Sequence, residues 1–125
     1  MKIIGTGVDL VEVPRFQRAV QKWGDRFLNR LFTSGELTYA RGRKSMVQHL
    51  AVRFAAKEAV VKALGAPKGL GLEWKDLEIS HAANGQPRVL FHRTMSRWLG
   101  LDVHISLTHT REFAVATAFI SSSQG

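Results

Sequence analysis

The run MVQHLAVRFAAKEAVVKAL, Met46 to Leu64, contains neither proline nor glycine, and Gly65 follows it directly. Alanine, leucine and long unbranched side chains favour helix, and a glycine just past the end supplies the left-handed residue on which helices commonly close. The spacing predicts one long helix over Met46–Leu64. At about 100° per residue, Ser45, His49, Arg53 and Lys57 fall on one stripe, which reads as a solvated face. Glu58 and Lys62 lie off that stripe, roughly opposite, among Val47, Ala51, Phe54 and Ala55. The remainder is nearly all apolar, so the helix is expected to be mostly buried.

A carboxylate and an ammonium on such a face are costly unless paired or coordinated. Two readings are open. One is an i,i+4 Glu58–Lys62 pair, worth about 0.3 kcal/mol when exposed. The other is a polar site at the edge of the core, with Glu58 as a hard oxygen ligand and Lys62 as a phosphate partner.

Working outward, residues 3–11 are rich in β-branched residues and glycine and read as a first strand. Period-two alternation puts Asp9 on one face with Ile3, Gly5, Gly7 and Val11. Two glycines beside a carboxylate leave room for a ligand or another backbone. Alternatively, the glycines serve a bulge and Asp9 caps a turn. A magnesium ion usually takes only one or two carboxylates, so an Asp–Glu pair is chemically sufficient.

Pro14 suits the first turn of a helix running to about Lys22, with Gly24 as a stop and a further helical piece over 25–31. Thr33-Ser34-Gly35-Glu36 has capping-box spacing, so another helix begins near Ser34. A loop, Ala66–Gly71, follows the long helix. Leu77–His81 and Arg88–Phe91 read as strands around the Asn84-Gly85 turn. Thr94–Leu99 reads as a short helix ended by Gly100. Val103–His109 and Phe113–Ile120 read as strands around Thr110-Arg111-Glu112, and Ser121–Gly125 as a frayed end. Clustered helices followed by hairpins imply an α+β fold with a largely antiparallel sheet packed against the long central helix. At 125 residues, one domain over 1–125 is expected.

Hydrophobic content of 45% and charged content of 22% fit a folded chain. With no cysteine, disulfides, thiolate metal sites and cysteine nucleophiles are excluded. Met1-Lys2-Ile3-Ile4-Gly5 has no leader pattern, and no apolar run reaches the roughly 18 residues of a membrane span. A cytoplasmic protein without membrane association is expected. Eighteen Lys and Arg against ten Asp and Glu give a net charge of +8. That field attracts polyanions: nucleic acid, anionic membrane, an acidic protein or a phosphate-rich cofactor.

Three segments, taken together, resemble the holo-acyl-carrier-protein synthase family of 4'-phosphopantetheinyl transferases. They are Gly5-Thr6-Gly7-Val8-Asp9-Leu10-Val11-Glu12, the run from Arg53 through Lys57-Glu58 and Lys62 to Gly65, and His104-Ile105-Ser106-Leu107-Thr108-His109-Thr110. Phe32–Leu37 and Asn84-Gly85-Gln86-Pro87 match in order, so the resemblance spans nearly the whole chain. It implies the 4'-phosphopantetheinyl transferase fold and transfer of the phosphopantetheine arm of coenzyme A to a serine of apo-acyl carrier protein, in fatty acid biosynthesis. Adenosine 3',5'-bisphosphate leaves.

The resemblance further implies that Asp9 and Glu58 hold Mg²⁺ against the pyrophosphate and that Lys62 follows charge developing on the leaving phosphate. The base is open among a metal-bound water, Glu58 and a carrier-protein group. Lys44, Arg53, Lys62, His109 and Thr110 are implied as coenzyme A contacts. Arg43 and His49 are further candidates for the 3'-phosphate. Arg15, Arg18, Arg26, Phe27 and Arg30 would meet the acidic carrier protein, which gives the +8 charge a partner. A homotrimer with sites at subunit interfaces is expected by the same likeness. The chain departs from many relatives at Gly65-Ala66-Pro67-Lys68, where they carry a second Gly-Thr-Gly-like turn.

A basic nucleic-acid-binding module is the competing reading. Tyr39 is the only tyrosine, and zinc-finger, Gly-x-x-Gly clamp and RNA-recognition signatures are absent.

Overall fold

A computed structural model of the chain describes residues 1–65, 72–93 and 100–122. The expected loop Ala66–Gly71, the short helix Thr94–Leu99 and residues 123–125 lie outside them. The order is β1 (Lys2–Glu12), α1 (Val13–Leu31), α2 (Ser34–Arg41), α3 (Met46–Leu64), a single 3-10 turn (Trp74–Asp76), β2 (Leu77–His81), β3 (Pro87–Phe91), β4 (Leu101–His109) and β5 (Phe113–Ser122). Among the described residues all strand pairings are antiparallel. They form two sheets, β1-β5-β4 and the hairpin β2-β3, with β3 packed beside β4.

Helix α1 is two pieces joined at Gly24, whose φ of 65° and ψ of −151° break the helical path. Only glycine adopts that conformation readily. The capping box at α2 forms as expected: Thr33 N–H donates to Glu36 Oε1 at 2.9 Å, and Glu36 N–H donates to Thr33 Oγ1 at 3.2 Å. Gly65 closes α3 in the left-handed region, with φ 63° and ψ 28°. The short 3-10 turn was not expected, since three residues are too few to leave a periodic pattern.

Two expectations are corrected at the strand ends. Ile3 does not share the inward face with Gly5, Gly7, Asp9 and Val11. A register shift between Ile3 and Gly5 re-phases the alternation and leaves Ile3 exposed. The chain also stays ordered past Ile120: β5 runs to Ser122, and Ser121 is buried with its hydroxyl 3.0 Å from His104 Nε2.

The larger correction concerns α3. Arg53 and Lys57, read as part of a solvated stripe, are buried. Glu58 is half-buried, and Lys62, read as lying on the buried side, is exposed. Elements lie on nearly every side of α3, and its apolar residues are spread around its whole circumference, so a helical wheel has no dominant face to find. Lys57 is tolerated because its ammonium is fully engaged. It donates to the Leu31 carbonyl at 2.8 Å, to Glu36 Oε1 at 2.7 Å and to the Trp74 carbonyl at 3.1 Å. Glu36 Oε2 in turn accepts from Ile79 N–H at 2.9 Å. This network ties α1, α2, α3, the 3-10 turn and β2 together.

Small residues set the distance between α3 and the main sheet. Ala55, Ala56, Ala59 and Ala63 pack with Ala116, Ala118 and Ile120 of β5 in one apolar cluster. On β1, a Cβ at Gly5 would overlap the Ala63 carbonyl oxygen, and one at Gly7 would overlap that of Ala59. The strand therefore lies directly on the helix backbone. Gly7→Ala must push two backbones apart and is expected to cost about 3 kcal/mol, read as a fall in the urea unfolding midpoint. Gly42→Ala is the control: its Cβ would meet nothing nearer than 3.8 Å, and its midpoint should barely move.

Candidate active site

Because β1 lies on the α3 backbone, the inward-facing Asp9 arrives beside the Glu58–Lys62 turn of that helix. Lys62 Nζ donates to Asp9 Oδ1 and to the Val8 carbonyl, both at 3.0 Å. Burial pushes the Glu58 carboxyl above the usual carboxylate range; the neighbouring Asp9 charge raises it further, and Lys62 lowers it. Asp9 and Glu58 thus feel one another across the strand–helix contact. Asp9 of β1 meets Glu58 and Lys62 of α3 in one place.

This donor set fits a divalent cation. Two carboxylates in mutual repulsion, half-buried and countered by one lysine, gain from a hard cation that accepts oxygen ligands. Among the described residues no group of three or more His, Cys, Asp or Glu side chains is placed to hold a metal. Two carboxylates suit an ion that keeps open positions for water and substrate oxygens.

A groove of about 300 Å³ extends from Asp9 along α1, lined also by Arg15, Phe16, Phe27 and Phe54. A second, of about 580 Å³, is lined by Trp23, Arg26, Phe27 and Arg30. Arg15, Arg18, Arg26 and Arg30 are all exposed, while Phe27 is half-buried with its ring 6.0 Å from that of Phe16. Of the α1 residues expected at a carrier protein, Arg15 and Phe27 line the groove that reaches Asp9, and Arg26, Phe27 and Arg30 line the second. Trp23, which lines the second groove, is 59% exposed beside the Gly24 kink.

A second cluster lies around Tyr39. The Arg53 guanidinium carbon lies 4.2 Å from the Tyr39 ring centre and that of Arg43 lies 3.4 Å from it. His81 stacks on the same ring at 5.1 Å, and His49 meets it edge-on at 5.9 Å. His49 in turn stands 6.0 Å from the His109 ring. Burial lowers the pKa of both His49 and His81, and the nearby arginines lower it further. Arg53 donates to the His49 carbonyl at 3.3 Å and lies 3.5 Å from His81 Nδ1, while its buried Nε has no partner.

The structure thus brings Arg53 and His109 into one basic cluster with Arg43 and His49. Lys44 is exposed in the link preceding α3, next to Arg43. Thr110 stands at the end of β4, where its hydroxyl oxygen accepts from the Glu112 and Phe113 amides at 3.3 and 3.0 Å and so shapes the β4–β5 turn. Tyr39 and His81 were missed as site residues. Neither lies in a motif; they join the cluster only through the packing of α2 and β2 on α3.

At neutral pH the raised Glu58 pKa means that its ionised form weakens the metal-free fold. Glu58→Gln should therefore raise the thermal midpoint in chelator at pH 7.5. The gap should shrink as pH falls through the folded-state pKa of Glu58, because the wild-type carboxyl then takes up its proton. Melting curves across pH check this.

Residues 5–118 match the sequence model of the ACPS family, described as the 4'-phosphopantetheinyl transferase superfamily. Holo-[acyl-carrier-protein] synthase from Koribacter versatilis is 39% identical over 122 residues, covering 94% of this chain and 98% of its own. The protein of that name from Protochlamydia amoebophila is 44% identical over 120 residues, covering 95% and 98%. Among solved structures, a holo-(acyl-carrier-protein) synthase from Bacillus anthracis in complex with CoA (3',5'-ADP) superposes with a TM-score of 0.82 at 34% identity, covering 98% of this chain and 100% of its own. Holo-[acyl-carrier-protein] synthase from Neisseria meningitidis gives 0.87 at 31% identity, covering 96% and 99%. The chain belongs to the 4'-phosphopantetheinyl transferase superfamily.

Proposed function

We propose that this protein transfers the 4'-phosphopantetheine group of coenzyme A to a serine hydroxyl of an apo-acyl carrier protein, in fatty acid biosynthesis. A P–O bond of the pyrophosphate breaks, a serine O–P bond forms, the serine proton is released and adenosine 3',5'-bisphosphate departs. The observation that carries this reading is the meeting of Asp9 with Glu58 and Lys62, Asp9 also lining a groove with Arg15 and Phe27. A phosphoryl-transfer site needs mainly positioning and charge neutralisation; these residues would supply the first directly and the second through Lys62 and a cation held by the two carboxylates.

Asp9 and Glu58 would hold Mg²⁺, which when bound supplies Lewis-acid neutralisation of phosphate charge. Lys62, exposed and 3.0 Å from Asp9, would exchange its bonds to Asp9 and the Val8 carbonyl for the leaving phosphate. The arginines of α1 offer an acidic carrier protein a complementary surface, which chiefly speeds encounter. Arg43, Lys44, Arg53, His49 and His109 would take the 3'-phosphate of coenzyme A, and Thr110 sets the turn that follows His109.

Assembly as a homotrimer with shared sites is part of the proposal. Arg53 and Glu58 are five residues apart on α3, hence about 140° apart around its axis. The basic cluster and the carboxylate pair of one chain accordingly face different directions, and joining them calls for a neighbouring copy. The outer face of the main sheet supports association, since Val8, Leu10 and Phe119 are 58%, 55% and 44% exposed there. Residues 1–125 would act as one domain in the cytoplasm. No helix among the described residues is long and apolar enough to cross a membrane.

Incubation with coenzyme A, Mg²⁺ and an apo-acyl carrier protein should add one phosphopantetheine mass to a carrier serine. Asp9→Ala and Glu58→Ala should each lower the rate by about a hundredfold or more while remaining folded. No mass gain with several apo carrier proteins, at adequate Mg²⁺, would refute the assignment.

A further inference from the structure

Two arginines share a single aromatic ring, and among the described residues neither is in direct contact with a carboxylate. The guanidinium carbons of Arg43 and Arg53 lie 3.4 and 4.2 Å from the centre of Tyr39. Among the described residues neither makes an ion pair with an acidic side chain, and the charged neighbours acting on His49 are Arg53, His109, Arg43 and His81. Arg53 is buried, yet its Nε has no partner. Burial disfavours the Arg53 charge; the Tyr39 side chain offsets this first and the more distant Glu36 carboxylate adds to it.

The ring of Tyr39 is what they have in common. An aromatic face attracts a guanidinium through its quadrupole, and stacking uses the flat face of the group while leaving its N–H donors free along the edge. Arg43 commits one donor to the Tyr39 carbonyl at 2.8 Å, which fixes it further to the same residue. His81 stacks on the ring at an interplanar angle of 20°, and His49 packs against it edge-on. All four basic side chains are thus oriented by one residue that itself carries no charge.

We propose that Tyr39 is a positioning residue for the 3'-phosphate of coenzyme A, its ring holding Arg43 and Arg53 edge-out toward that group. This rests on the transferase reading and adds a determinant of donor specificity to it. Coenzyme A and its analogue lacking the 3'-phosphate, dephospho-coenzyme A, differ only in the group that the cluster would bind. A defect in the cluster should therefore appear with one donor and not the other, which general loosening of the fold would not produce.

The test is steady-state transfer to apo-acyl carrier protein by wild type, Tyr39→Leu and Tyr39→Phe, with each donor. Tyr39→Leu should raise KM for coenzyme A about tenfold, equivalent to about 1.4 kcal/mol, with kcat and the KM for dephospho-coenzyme A within about twofold of wild type. Tyr39→Phe keeps the π face and loses only the hydroxyl's hydrogen bond to Arg53, so its KM for coenzyme A should rise clearly less than that of Tyr39→Leu. Should Tyr39→Leu fail to fold by circular dichroism, Tyr39→Met replaces it under the same expectations. Equal KM increases for both donors, no increase for either, or a loss in Tyr39→Phe matching that in Tyr39→Leu would each overturn the inference. Failure of wild type to transfer from coenzyme A would instead overturn the transferase reading beneath it.

Discussion

The contact between β1 and α3 is backbone against backbone, and the rest of the molecule is arranged around it. Gly5 and Gly7 lie on the carbonyls of Ala63 and Ala59 with no space for a Cβ. Two residues further along the same face, the strand presents Asp9, and the same stretch of helix presents Glu58 and Lys62. A larger residue at either glycine would lift the strand from the helix and take Asp9 with it. The glycines contribute no chemistry, but they set the separation on which the chemistry depends.

A second constraint fixes the other side of α3. Lys57, adjacent in sequence to Glu58, is fully buried and bonded to Glu36 and to carbonyls of α1 and the 3-10 turn. Loss of either partner would leave a buried charge uncompensated, a change that typically costs about 3–5 kcal/mol. The network also holds α2 and β2 against α3, and these elements carry Tyr39 and His81 to Arg53. One helix thus serves two polar sites, a carboxylate pair at its C-terminal half and a basic cluster at its N-terminal half.

Much of this was legible in the chain itself. The capping box at Thr33, the stop at Gly24, the closure at Gly65 and the Asn84-Gly85 turn are local signals whose physics acts within a few residues, and each appears where expected. Asp9, Glu58 and Lys62 were named from motif residues, and packing brought them together. What local reading could not supply was orientation. With apolar residues on all sides, α3 has no face that a wheel can identify, so the buried and exposed cations were exchanged. Lys57 is buried because Glu36, twenty-one positions away in sequence, meets it, and Tyr39 and His81 join the basic cluster for the same non-local reason. The shift at Ile3 is likewise invisible to simple alternation, since it depends on the pairing of β1 with β5.

The account turns on Asp9 and Glu58 acting as one cation site created by the strand–helix contact. Titration of Mn²⁺, a paramagnetic stand-in for Mg²⁺, into the protein with coenzyme A, followed by the free-ion EPR signal, addresses this without reference to turnover. Binding should be weakened in both Asp9→Asn and Glu58→Gln and lost in the double variant. Binding unchanged from wild type in all three would contradict the shared site.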